Sequence, residues 1–410
     1  MEKTTVLLPH GQGSEPVLKD LSVKQKNRLK VTLLLVALTN MVSVALSPAT
    51  EQIRQFFGVE LATVQTAMSA TNVVQITVSL VAMYLINRGF LTKKRAVVMG
   101  QSFFGAAVIF VLLFHNDFWC VYVLSALVGG ACGLFVTNAF GIIFDCFEPD
   151  ERQGLTGLQT SCISLGGILA SLAGGFLAGF FWYGGYLVLS VGIVIAVVAA
   201  LNIPNYSTPK AENGEKRSRI RSQVFFYAAS AFLFMLCYIT VGQNISSHLS
   251  RYFTNYSRLA GICSAVQMGG GVVSGLLFKK ISGKLQGDTL VLALCVLSLG
   301  LLLLSFLTTS LPLILLSVFL CGLTLSLFNP WCIFGVSVNS DPTNSAVTSV
   351  IISAIAPSAG GFLSPVVFTN ITNALVPDAT DFRYRFVAGC AFLIAVLIFL
   401  RNRIAKKKAA

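Results

Sequence analysis

The chain has 410 residues, of which 55% are hydrophobic and only 11% carry a charge, and its mean hydropathy is +0.78. A soluble domain has about 25% charged residues, so this composition excludes a water-covered surface and predicts a protein embedded in a membrane. The net charge of +13 does not indicate nucleic-acid binding, because the basic residues lie between apolar runs and form no single stripe.

A polar tail precedes a long series of apolar runs. Residues 1–29 lack the short apolar core and small-residue cleavage site of a signal peptide, so the first apolar run is expected to remain as a helix. The runs that follow are long enough to cross a bilayer, which takes about 20 apolar residues. They predict an all-α polytopic membrane protein with helices near 30–52, 60–86, 94–114, 119–145, 152–181, 184–203, 223–249, 256–279, 287–308, 312–338, 344–373 and 382–401.

The longest polar break lies at the middle of the chain. Pro204, Pro209 and Gly214 interrupt helix there, and five Lys and Arg make the segment strongly basic. The apolar regions on either side have similar lengths, which predicts two six-helix bundles. The predicted units are a tail at 1–29, a bundle at 30–203, a linker at 204–222, a bundle at 223–401 and a basic tail at 402–410.

The distribution of basic residues predicts the orientation in the membrane. With twelve helices both tails lie on one side, and that side holds 24 of the 29 Lys and Arg, while five lie on the other. Positively charged loops remain in the cytoplasm. We therefore expect both termini and the linker to be cytoplasmic, in a multi-pass protein of the plasma, or inner, membrane.

An internal repeat appears at an offset of 192 residues, where Val74 corresponds to Val266 and Gly130 to Gly322. Two six-helix halves with the same orientation form a parallel repeat, an arrangement found in transporters. A receptor or a structural membrane protein would gain less from such a duplication, because it does not alternate between two open states.

The loop after the second predicted helix carries a known signature. It reads Asn87-Arg88-Gly89-Phe90 and continues into a basic cluster that begins at Lys93. With Arg88 and these bases, the chain resembles the major facilitator superfamily, whose loop reads Gly-x-x-x-Asp-Arg-x-Gly. The resemblance implies twelve helices in two pseudo-repeats and a cytoplasmic latch at this loop, although Asn87 replaces the acidic residue.

The implied latch brings together four residues from both halves, with Arg88 facing the end of the fourth helix. Glu148 is the alternative partner of Arg88. The latch residues are Asn87, Arg88, Asp145 and Lys280.

The fifth predicted helix resembles a pattern of the drug/proton antiporter branch. Gly166, Gly174 and Gly175 keep the spacing of Gly-x8-Gly-x3-Gly-Pro-x2-Gly-Gly, while Ala170 and Ser171 replace its Gly-Pro. The resemblance implies antiport. Close helix packing explains the same small residues equally well.

No charged residue lies near the middle of any predicted helix, whereas charges inside a membrane usually mark proton relays or ionic substrates. Amides, hydroxyls and aromatics take their place, several of them three or four residues apart and hence on one helix face. We expect them to line an uncharged central path; hydrogen bonding between helices is the alternative role. The candidate substrate-binding residues are Asn40, Ser43, Ser47, Asn72, Gln75, Asn138, Tyr238, Gln243, Asn244, Gln267, Asn329 and Trp331.

An uncharged path favours a small neutral or amphipathic molecule, exported by alternating access with protons as the driving ion. The alternative is a uniporter or symporter for uptake of a polar solute such as a sugar or nucleoside. Glu51 continues the stripe of Asn40, Ser43 and Ser47 and is the first candidate for coupling; His248 is the second. A solvated interface position is the other reading of Glu51.

The motifs of an intramembrane enzyme are missing from the sequence, which has neither His-Glu-x-x-His nor Gly-x-Ser-x-Gly. None of the ten cysteines forms a Cys-x-x-Cys pair, which favours buried thiols over disulfides or a metal site. We therefore expect no enzyme, no cofactor and no metal. The expected partners are a small-molecule substrate, the lipid bilayer and protons, with the chain acting as a monomer.

Overall fold

The computed structural model describes residues 22–205, 222–306, 309–339 and 351–409, and every regular element in these ranges is helical. The helices are α1 (Val23–Phe57), α2 (Leu61–Asn87), α3 (Lys93–Leu113), α4 (Trp119–Cys146), α5 (Pro149–Ala178), α6 (Gly184–Asn202), α7 (Ser222–Leu249), α8 (Tyr256–Leu285), α9 (Thr289–Phe306), α10 (Leu311–Asn339), α11 (351–375) and α12 (Thr380–Ala409). All of these except α11 include a run long and apolar enough to span a membrane. The all-α fold class is thereby confirmed.

Prolines explain why two helices are irregular. In α1 the α-helix of Val23–Leu38 gives way to a 3-10 segment, Val42–Ala49, that contains Pro48. In α11 one π-helical turn, Ile351–Ile355, precedes Pro357, and a second begins at Pro365. Proline lacks an amide donor and crowds the carbonyl one turn earlier, so the backbone changes its helical pitch there.

The helices form two bundles, each with its own hydrophobic core. One core extends from Leu29 to Ile203, and the other from Val224 to Ile398. The same pairs of helices pack in both: α2 on α4 as α8 on α10, α3 on α4 as α9 on α10, and α3 on α6 as α9 on α12. This repeated packing is the plan that the sequence duplication predicts.

Among the described residues, the two bundles meet along four main helix pairs, which are α5 with α8, α2 with α11, α1 with α7, and α1 with α8. We use "basic end" for the end of the molecule at which α1 begins and α12 ends, and "opposite end" for the other.

Most of the predicted linker, residues 206–221, lies outside the described residues, as does the predicted start of the eleventh helix at 344–350. The exact bounds of the predicted units and the cytoplasmic position of the linker stay predictions.

Glycines allow the helices to approach closely, both within a bundle and where the bundles meet. A side chain at Gly166 would overlap the carbonyl of Leu38 in α1, and one at Gly175 would lie 2.7 Å from the Cα atom of Gly261 in α8. These are residues of the pattern in the fifth predicted helix, so close packing accounts for them. The same device joins α10 to α8, where a side chain at Gly322 would overlap the carbonyl of Gln267.

We expect Gly322→Ala to lower the free energy of unfolding by about 2 kcal/mol, because the added methyl group has no room between α8 and α10. Gly269→Ala is the matched control, since a methyl group on Gly269 of α8 meets open space. The control should be neutral or slightly stabilising, because alanine favours helix over glycine. Thermal unfolding of the purified variants measures both, and equal effects would contradict the close approach.

Candidate functional site

A cavity of about 510 Å³ lies between the two bundles. It is bounded by helices from both halves, chiefly α1, α2, α7, α8 and α10. The predicted residues that line it are Asn40, Ser43, Ser47, Asn72, Gln75, Tyr238, Gln243, Gln267 and Asn329. Nine of the twelve candidates thus share one wall, and their role in binding stays a prediction.

The other three candidates lie elsewhere. Asn138 is buried within α4 and donates its amide hydrogen to the carbonyl of Leu134, 2.6 Å away. Trp331 packs its ring against Tyr227 in the core of the second bundle, with centroids 5.0 Å apart. Asn244 lies at the contact between the bundles. Helical spacing brings these residues near the path, but Asn138 bonds to the backbone of its own helix and Trp331 packs among rings of the second bundle.

Among the residues that the structure describes, no charged side chain lines the cavity. Its apolar part includes Phe328 and four of the seven methionines of the chain, Met41, Met68, Met235 and Met268. The sequence analysis missed them, because an apolar residue in a spanning helix is equally typical of a lipid-facing or a core position. Methionine side chains adapt to ligands of different shapes, so this wall suits molecules with both polar and apolar parts.

The cavity is accessible toward the basic end. Ile333 lines it on that side and is 57% exposed, and Asn329, one turn earlier in α10, is also exposed. Toward the opposite end the wall becomes buried: Gln65 and Ser69 line the cavity and are 1% and 3% exposed. The described residues therefore surround a path that is closed at one end.

Hydrogen bonds between the bundles close the opposite end, and we call this set of contacts the seal. Ser47 of α1 donates to the carbonyl of Gly242 in α7, and Ser246 of α7 donates to the carbonyl of Pro48 at 2.8 Å. Nearer the surface, the hydroxyl of Tyr256 donates to Oε1 of Gln55 at 3.0 Å.

Gln65 of α2 makes the largest number of these contacts. Its Nε2 donates to the carbonyl of Gln243 and to Oδ1 of Asn244, each at 2.9 Å. Its Oε1 accepts a hydrogen bond from Thr369 of α11 at 2.6 Å. One amide of the first bundle thus binds two helices of the second, through both of its N–H donors and its carbonyl oxygen.

Glu51 lies in the seal, whereas the contacts of His248 lie within the second bundle. Glu51 is 1% exposed, so it is not a solvated residue: its carboxylate accepts from Ser247 of α7 at 2.6 Å and pairs with Arg54 at 2.9 Å. His248 is fully buried, with Nδ1 3.0 Å from Oδ1 of Asp381 in α12. The ring is thus in contact with the carboxylate, but the direction of its N–H does not meet the geometry of a hydrogen bond.

Comparison with known proteins assigns the family. The family model of the Major Facilitator Superfamily matches residues 32–365. The chain belongs to the Major Facilitator Superfamily. No curated protein sequence matched the chain.

Solved structures of other superfamily members share this fold. The peptide transporter PepTSo has a TM-score of 0.74 at 11% identity, covering 95% of this chain and 99% of its own. The nucleoside transporter NupG has a TM-score of 0.68 at 12% identity, covering 91% and 99%. A bacterial homolog of the human lysosomal transporter Spinster, in an inward-facing state, has a TM-score of 0.68 at 16% identity, covering 93% and 98%. Identities this low establish the fold alone.

The signature loop of this superfamily member differs from the expected latch. Nζ of Lys93, and not Arg88, pairs with Oδ2 of Asp145 at 2.6 Å, while Arg88 lies 5.4 Å from the ring centroid of Tyr84. Lys93 begins α3, which packs on α4, and its stem crosses Gly141, where no side chain blocks it. Arg88 instead ends α2 at an exposed turn.

The remaining latch residues are exposed. Asn87 is exposed on α2, and Lys280 is exposed on α8. The charge pair observed at this loop therefore joins α3 to α4 within the first bundle.

We expect Lys93→Met to lower the free energy of unfolding by about 1 kcal/mol, the upper range for an accessible ion pair. The two side chains are only 16% and 15% exposed, and methionine keeps the apolar stem over Gly141. Arg88→Met is the control and should cost about 0.5 kcal/mol or less, as it removes only an exposed ring contact. Denaturant titration of both variants tests this, and a larger loss from Arg88→Met would contradict the assignment.

Proposed function

We propose that this chain is a secondary transporter that moves a small neutral or amphipathic molecule by alternating access. The observation that supports it is a central cavity with an uncharged wall, accessible at the basic end and closed at the opposite end by hydrogen bonds between two similar bundles. Superfamily membership agrees with transport. Breaking the seal while the basic end closes would expose the same cavity to the other side of the membrane.

The wall supports a substrate without a formal charge. A charged group would enter a region of low dielectric without an opposite charge to compensate it, at a cost of several kcal/mol. Phe328 and the methionines accept an apolar body, and amides such as Asn40, Gln75 and Gln267 orient polar groups. Export of an amphipathic compound in the manner of the drug/proton antiporters is our first choice.

Uptake of a neutral polar solute is the second candidate, through uniport or symport. Three asparagines and four glutamines line the cavity, together with serine and threonine hydroxyls on five helices, and this number of hydrogen-bonding groups favours a sugar or nucleoside. The solved nucleoside transporter has the same fold at 12% identity. A peptide suits the cavity less well, because its charged termini would have no partners in this wall.

The positive charge at the basic end favours a cytoplasmic position for that end. In this orientation the structure corresponds to a state open to the cytoplasm, in a multi-pass protein of the plasma membrane with both termini inside.

A ligand screen by thermal shift, followed by flux in proteoliposomes, tests the function and identifies the substrate. With the substrate found, we expect Asn40→Ala to weaken binding about tenfold, the effect of one lost hydrogen bond of about 1.4 kcal/mol. Asn40 lines the cavity and its amide has no hydrogen bond to the described residues. Asn138→Ala is the control and should leave affinity unchanged, since that amide binds its own helix. Equal losses in both, or a ligand that binds without being transported, would contradict the proposal.

Glu51 is our candidate for coupling to protons. In the closed seal its carboxylate is buried between Arg54 and Ser247. Opening of the seal would remove Ser247 and admit water from the opposite side. Protonation would remove the negative charge that strengthens the hydrogen bond from Ser247 of the second bundle, and so would favour the open seal. This links proton entry from outside to the outward-open state.

Transport with and without an imposed pH gradient tests this coupling. A gradient of one pH unit should drive about tenfold accumulation of a substrate that exchanges for one proton. We expect wild type and Glu60→Gln to show it, because Glu60 is exposed before α2. Glu51→Gln should equilibrate substrate without accumulating it. If the gradient drives Glu51→Gln as well, Glu51 is not the coupling group.

A further inference from the structure

Arg383 of α12 is the most deeply buried cation that the structure describes, with 0% exposure. In the sequence it is one of five basic residues expected near the outer surface. Its guanidinium instead points into the second bundle, and among the described residues no carboxylate hydrogen-bonds it. The nearby acids have other partners: Asp378 lies 3.7 Å from Arg54, and Asp381 lies beside His248.

The guanidinium uses three of its nitrogens on neutral oxygens. Nε donates to the hydroxyl of Thr372 at 3.0 Å, and Nη2 donates to Oδ1 of Asn373 at 2.6 Å, both in α11. Nη1 donates to Oδ1 of Asn244 in α7. The planar guanidinium of Arg383 therefore connects α12 to both α11 and α7. The single ammonium group of a lysine cannot reproduce this geometry.

One of these acceptors, Asn244, is also a partner of Gln65. Oδ1 of Asn244 accepts from Arg383 in its own half and from Gln65 in the other half, so the two donors share one oxygen. Nδ2 of Asn244 donates to the carbonyl of Thr240 at 2.9 Å, which fixes the orientation of the amide. Thr369, the second partner of Gln65, lies in the α11 segment that Arg383 holds through Thr372.

We propose that Arg383 is a positioning residue of the transport cycle: it arranges Asn244 and α11 as the receptor for Gln65, and so sets how firmly the opposite end closes. This inference rests on the proposed alternating access. Arg383 does not line the described cavity, and it acts through Asn244. Its charge also polarises the shared oxygen, and hydrogen bonds with a charged partner are stronger than neutral ones.

The burial of this cation keeps the seal reversible. A buried guanidinium without a carboxylate loses hydration that neutral acceptors replace only in part. When the bundles separate at this end, Gln65 withdraws and water reaches the Asn244 side of the fork. The same side chain therefore shapes the receptor in the closed state and gains hydration in the open state.

The test measures which end of the cavity is accessible, and it needs no substrate. Ser43→Cys places a thiol on the cavity wall, and the chain without this cysteine gives the blank. An impermeant thiol reagent is added to sealed vesicles of either orientation, so that it meets one end at a time. The readout is the labelling rate from the opposite end relative to the rate from the basic end.

We expect Arg383→Gln to raise this ratio about tenfold, the equivalent of one buried hydrogen bond. Arg385→Gln is the matched control and should leave it unchanged: Arg385 is two residues further along α12 and contacts Ser305 and Phe306 within the second bundle. Thr372→Val leaves the charge of Arg383 in place and keeps the shape of side chain 372, so it should raise the ratio less than Arg383→Gln. It is the milder variant to use if Arg383→Gln does not fold.

Gln65→Ala distinguishes a failure of alternating access from a failure of the role that we assign to Arg383. It should raise the ratio by itself, and adding Arg383→Gln should change it little further, because both act on one contact. If Gln65→Ala raises the ratio and neither Arg383→Gln nor Thr372→Val does, the positioning role is overturned and alternating access stands. If none of the variants raises the ratio, the proposed function fails together with this inference. Additive effects, or an equal rise in Arg385→Gln, would show a general loosening and also overturn the role of Arg383.

Discussion

The low dielectric of the membrane interior is the constraint on which this structure depends. A charge there is costly, and an unpaired polar group costs several kcal/mol. The molecule meets both conditions by placing neutral amides and hydroxyls at the centre and its ion pairs near the ends of the helices. Gln65 is the clearest case, since both N–H donors and the carbonyl oxygen of its amide bind the other bundle. The neutral cavity and the neutral centre of the seal follow from the same constraint.

Sequence reasoning predicted the features that this constraint imposes on whole helices. Spanning length, the duplicated halves and most of the polar wall follow from apolar runs and from spacings of three and four residues. Asn40, Ser43 and Ser47 share a face of α1, and the structure places all three on the cavity. Predictions were less accurate for single residues whose side-chain position depends on their packing neighbours. Trp331 has the polarity of a binding residue, but a ring pocket formed by Phe226 and Tyr227 holds it.

Contacts between distant segments were the hardest to predict. The signature motif pointed to Arg88 for Asp145, whereas the partner is Lys93, because α3 carries it across the gap left by Gly141. Arg383 was placed near the surface from its position at a helix start, and no local pattern reveals that Thr372, Asn373 and Asn244 converge on it. Periodicity describes one helix at a time, and these sites are built from three.

The composition of the seal also explains how such a contact can open. Hydrogen bonds between helices in membranes contribute about 0.6 kcal/mol each on average, so the bonds centred on Gln65, Glu51 and Ser246 together contribute on the order of a few kcal/mol. Two conformations that both need to be populated differ by energies of this size. A large apolar interface would hold the bundles too firmly, since apolar burial offers no new partner when it is lost. Amides and hydroxyls do find new partners, because the water that enters an opening seal hydrogen-bonds them at once.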